Sequence, residues 1–226
     1  MLQAADAGEI MAEMMKSGKE PQKVQSPVEI RGFRMFSGLI SRAEQEEMVA
    51  AVRDVVAAAP LVQPVTPGGR HMSVRMTAAG RLGWVTDRRG YRYEPLHPSG
   101  RPWPAIPAQV MAVWQAVTGI DREPDCCLVN FYAEGARMGL HQDKDEGDFS
   151  FPVVSISLGD EALFRMGGQD RAEGTQSLWL RSGDVVVMGG AARLAWHGID
   201  RVRHGSSTLL SQGGRINLTL RVVAGA

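Results

Sequence analysis

"RINLTLR", residues 215–221, alternates residue by residue between two kinds of side chain. A β-strand sends successive side chains to opposite faces, so Ile216, Leu218 and Leu220 share one face. Arg215, Asn217, Thr219 and Arg221 share the other. The first is a core face. The second sets two arginines and two hydrogen-bonding side chains in a row, where the solvent face of a sheet more often mixes Lys, Glu and Thr. Like charges on one face repel unless anions lie between them. Arginine's planar fork suits carboxylates, so a small dicarboxylic acid is a fitting ligand.

Upstream of this strand the same period recurs. "CCLVNFYA" (126–133), "PVVSISLG" (152–159), "ALFRMG" (162–167), "QSLWL" (176–180), "DVVVMG" (184–189) and "RLAWHG" (193–198) read as further short strands cut by Gly, Asp and Ser. Seven such strands at this spacing predict a sandwich, jelly roll or barrel. In the first of them Leu128, Asn130 and Tyr132 share a face, and a buried Asn or Tyr needs hydrogen-bond partners. Before Cys126 the signals are helical. "SRAEQEEMVAAVRDVVAAAP" (41–60) opens with Ser41 and Glu44 at capping-box spacing, carries Met48, Val52, Val55 and Val56 on one face, and stops at Pro60. "PAQVMAVWQAVTG" (107–119) has Pro107 in its first turn, a Val110, Trp114, Val117 stripe and a terminal Gly119. The expected class is α+β and β-rich, with helices packed on a β half from the N-terminal side.

"GLHQDKDEGD" (139–148) is the odd stretch, one histidine among four acids. If it is extended, His141 and Asp143 point to the same side and can grip one cation. His71, His97, His197 and His204 are candidates for a third ligand. Two histidines and one carboxylate make the facial triad of non-haem Fe(II) oxygenases. The competing reading is a solvated polar turn. Glu146 and Asp148 are expected to be solvated.

Composition narrows the setting. The formal net charge is zero, so any nucleic acid must be held by a local patch. Residues 70–101 offer one: seven arginines against Asp87 and Glu94, interleaved with Trp84, Tyr91 and Tyr93. The two cysteines, Cys126 and Cys127, are adjacent, which fits a reducing, cytoplasmic setting and no disulfide framework. No apolar run reaches membrane-spanning length, and residues 1–27 read as a flexible tail without signal-peptide character. Nothing predicts an obligate oligomer, so a monomer is expected.

The motifs taken together resemble a known family. "LVNFYAEGARMGLHQDKDE", "PVVSISLGDEALFRMGG", "SGDVVVMGG", "RLAWHGI" and "RINLTLR" resemble, in order, the core of the AlkB family of 2-oxoglutarate-dependent dioxygenases. "TPGGRHMSVRMT", "LGWVTDRRGYRYEP" and "RPWPAIP" resemble the nucleotide-recognition part of its bacterial members. The resemblance spans about residues 29–222. It implies a double-stranded β-helix (jelly roll) over residues 126–223, with N-terminal helices and a nucleotide-recognition lid over 28–125. It implies Fe(II) held by His141, Asp143 and His197, and 2-oxoglutarate on the iron. Arg215, Asn217 and Tyr132 would take the distal carboxylate; Asn130 and Arg221 would lie near the proximal one, with Leu128 beside them. Oxidative demethylation of alkylated bases such as 1-methyladenine and 3-methylcytosine follows, with O₂ consumed and succinate, CO₂ and formaldehyde released. The partner would be single- or double-stranded DNA, with RNA as the alternative polymer. A non-catalytic nucleic-acid-binding module with a metal site is the reading from another class.

For the substrate, the resemblance places Trp84 against the base, Tyr91 near a backbone phosphate and Met76 close by. Asp145 would accept the exocyclic amino group of adenine or cytosine; the alternative is a turn carboxylate paired with Lys144. Two positions depart from the family pattern: Arg70, where an aromatic is expected, and Met188, where a tryptophan is familiar.

Overall fold

The computed structural model describes residues 26–223. The expected tail at 1–27 therefore lies almost wholly outside the described residues. The first strands, β1 (Val28–Ile30) and β2 (Phe33–Phe36), form a hairpin around Arg31 and Gly32, both at positive φ. Then come α1 (Arg42–Ala58), β3 (Arg75–Gly80), β4 (Gly83–Asp87), β5 (Gly90–Glu94) and α2 (Ala108–Thr118). The remainder is all strand: β6 (Cys126–Tyr132), β7 (Met138–His141), β8 (Val153–Gly159), β9 (Glu161–Met166), β10 (Gln176–Leu180), β11 (Val185–Met188), β12 (His197–Arg203) and β13 (Arg215–Arg221).

These strands form a seven-stranded sheet, β1-β2-β11-β8-β13-β6-β3, and a four-stranded sheet, β10-β9-β12-β7, with β4–β5 as a separate hairpin. From β6 to β13 the chain passes repeatedly between the two larger sheets, each receiving four of the eight strands. That is the winding of a double-stranded β-helix, the jelly roll the sequence predicts. Every ladder is antiparallel.

The position of β13 explains its alternation. It is flanked by β8 and β6 in the middle of the larger sheet, and all seven of its residues are buried. Ile216, Leu218 and Leu220 pack outward against the helices, in one cluster with Met48, Val52 and Val55 of α1 and Val110 and Trp114 of α2. Each fully buried aliphatic side chain here contributes roughly 1.5–3 kcal/mol, which is what fixes α1 to the sheet. The helix start is set separately: Ser41 accepts from the Glu44 amide while Glu44 reaches back to the Ser41 amide, the expected capping box. Gly119 closes α2 in the left-handed conformation.

Two parts of the pattern read differently in three dimensions. The sequence signals strands only from Cys126 onward, yet β1, β2 and β3 belong to the large sheet. β3 is "RMTAAG", whose small residues carry little strand preference; tertiary fit decides it, since a Cβ at Gly80 would lie 2.3 Å from the Asp125 carbonyl oxygen. "RLAWHG" is not a strand. The amides of Ala192, Arg193 and Ala195 bond carbonyls three residues back, and Gly190 sits at positive φ. The chain turns there, drives Arg193 inward, and becomes extended only at His197, which therefore begins β12 rather than ending a strand. Among the described residues no helix is long and apolar enough to cross a membrane. Cys126 and Cys127 are buried free thiols.

Candidate active site

A cavity of about 390 Å³ lies between the two sheets. One wall is the polar face of β13, and the opposite wall is the β7–β12 pair. His141 ends β7 and His197 opens β12, and the two are cross-strand partners with ring centroids 4.5 Å apart. Asp143 follows two residues after His141, and its oxygens lie 3.7 Å from His141 Nε2 and 3.6 Å from His197 Nε2. One donor atom from each of the three lies within 4.8 Å of the others. This is the one such group of three among the described residues, so of the four candidate third ligands the fold selects His197. His97 instead packs under Trp103 with its nitrogens on Pro60 and Ser99, and His204 sits beside Asp160.

Backbone carbonyls set the tautomers. His141 Nδ1 lies 2.9 Å from Gly139 O and His197 Nδ1 lies 3.0 Å from Ala195 O. A carbonyl only accepts, so each Nδ1 carries the proton and each Nε2 lone pair is turned toward Asp143. Burial, and then the neighbouring His141, pushes His197 down to about 4, so it is neutral at physiological pH. Burial alone would raise the Asp143 carboxyl, but Arg221 and the two histidines outweigh it and hold it below the usual carboxylate range. A neutral His197 and an ionised Asp143 are the protonation states a divalent metal requires of them.

The two arginines of β13 face different surroundings. Arg215 is 1% exposed; its Nη2 donates to Ser157 Oγ at 2.8 Å, while Nε and Nη1 have no hydrogen-bond partner. A buried guanidinium with idle N–H groups is costly unless an anion completes it. The Tyr132 ring lies 5.6 Å from it, and the buried Asn130 Oδ1 is also unpartnered. Asn217 stands directly across the ladder from Asn130, its amide committed to Ser155 Oγ and Ile156 O. Arg221 is instead already paired: Nη2 lies 2.8 Å from Asp143 and Nη1 3.1 Å from Glu146.

Glu146 is the clearest correction to the sequence pattern. It is not solvated: its side chain is fully buried, and it also accepts from Arg193 Nη2 at 3.0 Å and Tyr93 Oη at 2.5 Å. Its partners lie 47, 53 and 75 residues away, so no local signal could reveal them. Asp145 does point to the cavity but pairs with neither lysine nor solvent alone. Its Oδ2 accepts from Trp84 Nε1 at 2.8 Å. Trp84 stacks on Tyr91, centroids 5.5 Å apart and planes 16° off parallel. These three rim the cavity, with Met76 and Leu128 lining it further in.

The 2OG-Fe(II) oxygenase superfamily model matches residues 32–221. The chain is 52% identical over 193 residues to a protein of Caulobacter vibrioides named alpha-ketoglutarate-dependent dioxygenase AlkB homolog, covering 85% of this chain and 88% of that one. The chain belongs to the AlkB family of this superfamily. Another AlkB relative, from Arabidopsis thaliana and named DNA N(6)-methyladenine demethylase ALKBH1D, is 44% identical over 108 residues, 43% of this chain and 24% of its own. The solved structure of OsALKBH1 superposes with a TM-score of 0.73 at 28% identity, covering 87% of this chain and 99% of that one.

This AlkB-family chain is thus a 2-oxoglutarate-dependent dioxygenase, whose cofactors are Fe(II), 2-oxoglutarate and O₂. Its cavity fits them. The His–Asp–His group matches the donor set of non-haem iron, and the idle donors of Arg215 suit a buried carboxylate.

Proposed function

We propose that the protein oxidatively demethylates alkylated bases of the 1-methyladenine and 3-methylcytosine type in single- or double-stranded DNA, as a cytoplasmic monomer. The observation that carries this reading is a single cavity joining a metal-competent triad, a buried arginine with idle donors, and a rim of stacked aromatics beside a carboxylate. In this reading residues 126–223 are the oxygenase core, and 28–125 supply the helices and the base-recognition rim.

His141, Asp143 and His197, which line the cavity, would hold Fe(II). Arg215 would take the far carboxylate of 2-oxoglutarate through Nε and Nη1, with Ser157 orienting the guanidinium. Tyr132, Asn130, Asn217 and Leu128 would complete that pocket, and Arg221 would act on the metal end by holding Asp143. When bound, iron with 2-oxoglutarate and O₂ would supply the oxidising power to hydroxylate the N-methyl carbon, with succinate and CO₂ as co-products and formaldehyde lost from the N-hydroxymethyl base.

The protein's own task is to position the methyl group. A base drawn out of its stack meets the Trp84 and Tyr91 faces, with Met76 beneath. Asp145 accepts its exocyclic amino group. Methylation at N1 of adenine or N3 of cytosine makes the base cationic, so the same carboxylate favours damaged over normal base.

The test is turnover of matched 3-methylcytosine oligonucleotides, as DNA and as RNA, beside an unmethylated DNA control. Formaldehyde from the methylated DNA alone, or at higher kcat/KM than from RNA, is the expected result. Faster turnover of the RNA would reassign the polymer, and none from either would overturn the reading.

A further inference from the structure

Glu146 does not line the cavity, yet it stands between the metal group and the base-recognition hairpin. On one side it accepts from Arg221 Nη1 and Arg193 Nη2. Those same guanidiniums grip Asp143 twice: Arg221 Nη2 at its carboxylate, 2.8 Å, and Arg193 Nη1 at its backbone oxygen, 2.6 Å. On the other side Glu146 accepts from Tyr93 Oη, which itself accepts from Arg221 Nη1 at 3.0 Å. Tyr93 lies on β5 directly across the ladder from Trp84 on β4.

Two carboxylates and two guanidiniums balance in this buried cluster. Such a cluster is stable only while every member is paired, so displacing one member perturbs the rest. We propose that Glu146 is a positioning residue that couples the β4–β5 hairpin to Asp143, so that seating a base against Trp84 and holding the metal reinforce each other. The route has two links, Tyr93–Glu146 and Glu146–Arg221/Arg193–Asp143, each built of direct hydrogen bonds. The coupling rests on the base-recognition role proposed above for Trp84.

The test uses the full-length protein and two conservative variants, Tyr93→Phe and Glu146→Gln. Hydrogen exchange is read without metal or substrate in three segments: 83–94, 141–146 and, as a control, 42–58. Each variant is expected to speed exchange about tenfold in both of the first two segments and to leave the helix at its wild-type rate. Cobalt(II) binding should weaken about tenfold in Glu146→Gln and by a smaller factor in Tyr93→Phe. With substrate, Tyr93→Phe should raise the KM for the methylated oligonucleotide more than it lowers kcat.

Loosening by Tyr93→Phe confined to 83–94, with cobalt(II) affinity unchanged, would overturn the inference. So would a uniform loosening that includes the helix, which marks a merely structural role. Should the wild-type protein release no formaldehyde, the demethylase reading falls on its own. The exchange and cobalt(II) measurements, which use no substrate, still decide the coupling.

Discussion

The two ends of β13 carry the same residue on the same face, six positions apart, and the fold treats them in opposite ways. At the Arg221 end the protein provides the anions itself, Asp143 and Glu146, which hold both terminal nitrogens and leave Nε alone without a partner. At the Arg215 end it provides a serine hydroxyl and leaves two nitrogens idle. One arginine is part of the frame of the metal group. In the proposed reading the other is half of a binding site, its idle nitrogens awaiting the far carboxylate of the co-substrate. An alternating polar face thus states where charges go, and only the tertiary partners state which charge is structural.

Substitutions that keep the bulk of each arginine should widen that contrast. Arg221→Met leaves Asp143 and Glu146 buried without their main cation, and the expected loss is about 3–5 kcal/mol, a fall in Tm of roughly 10 °C in a scanning melt. An unchanged Tm would show that Arg193 and the histidines suffice. Arg215→Met removes a buried charge with two idle nitrogens and only a serine hydroxyl as hydrogen-bond partner, so without 2-oxoglutarate the Tm should hold or rise. Its KM for 2-oxoglutarate should increase about 100-fold, because a charge-assisted pair is lost. Equal Tm losses at the two positions would erase the distinction.

Smaller changes sharpen it. Ser157→Ala frees the Arg215 fork without removing it, and a rise of about fivefold in the 2-oxoglutarate KM is expected, at little cost in Tm. Trp84→Phe keeps a stacking face but deletes the N–H that Asp145 accepts. At that exposed rim the KM for a 3-methylcytosine oligonucleotide should rise only about twofold to threefold, with 2-oxoglutarate affinity unaltered.

How much of this was legible in the sequence depends on how local the cause is. Capping at Ser41 and Glu44, the strand "QSLWL" and the two faces of β13 follow from neighbours in the chain, and they stand as read. His141 and Asp143 follow from their spacing. The third member of that group does not: four histidines are candidates, and the cross-strand pairing of β7 with β12 brings His197 beside His141 and Asp143. "RLAWHG" misleads because its apolar density mimics a strand, while Gly190 and the inward pull on Arg193 turn the chain. Glu146 misleads more deeply. An acid in an acidic loop looks solvated, and its burial is decided by Tyr93, Arg193 and Arg221, all distant in sequence. The rim is intermediate: its composition pointed to nucleic acid, but the Trp84–Asp145 bond appears only in the fold.

The most direct measurement is formaldehyde and succinate released together from a 3-methylcytosine DNA oligonucleotide, with Fe(II), 2-oxoglutarate and air, for the wild-type protein and His197→Ala. Wild type should release the two products in equal amounts, and the variant neither. Succinate without formaldehyde from the wild type would contradict the demethylase, and undiminished release from His197→Ala would contradict the iron site.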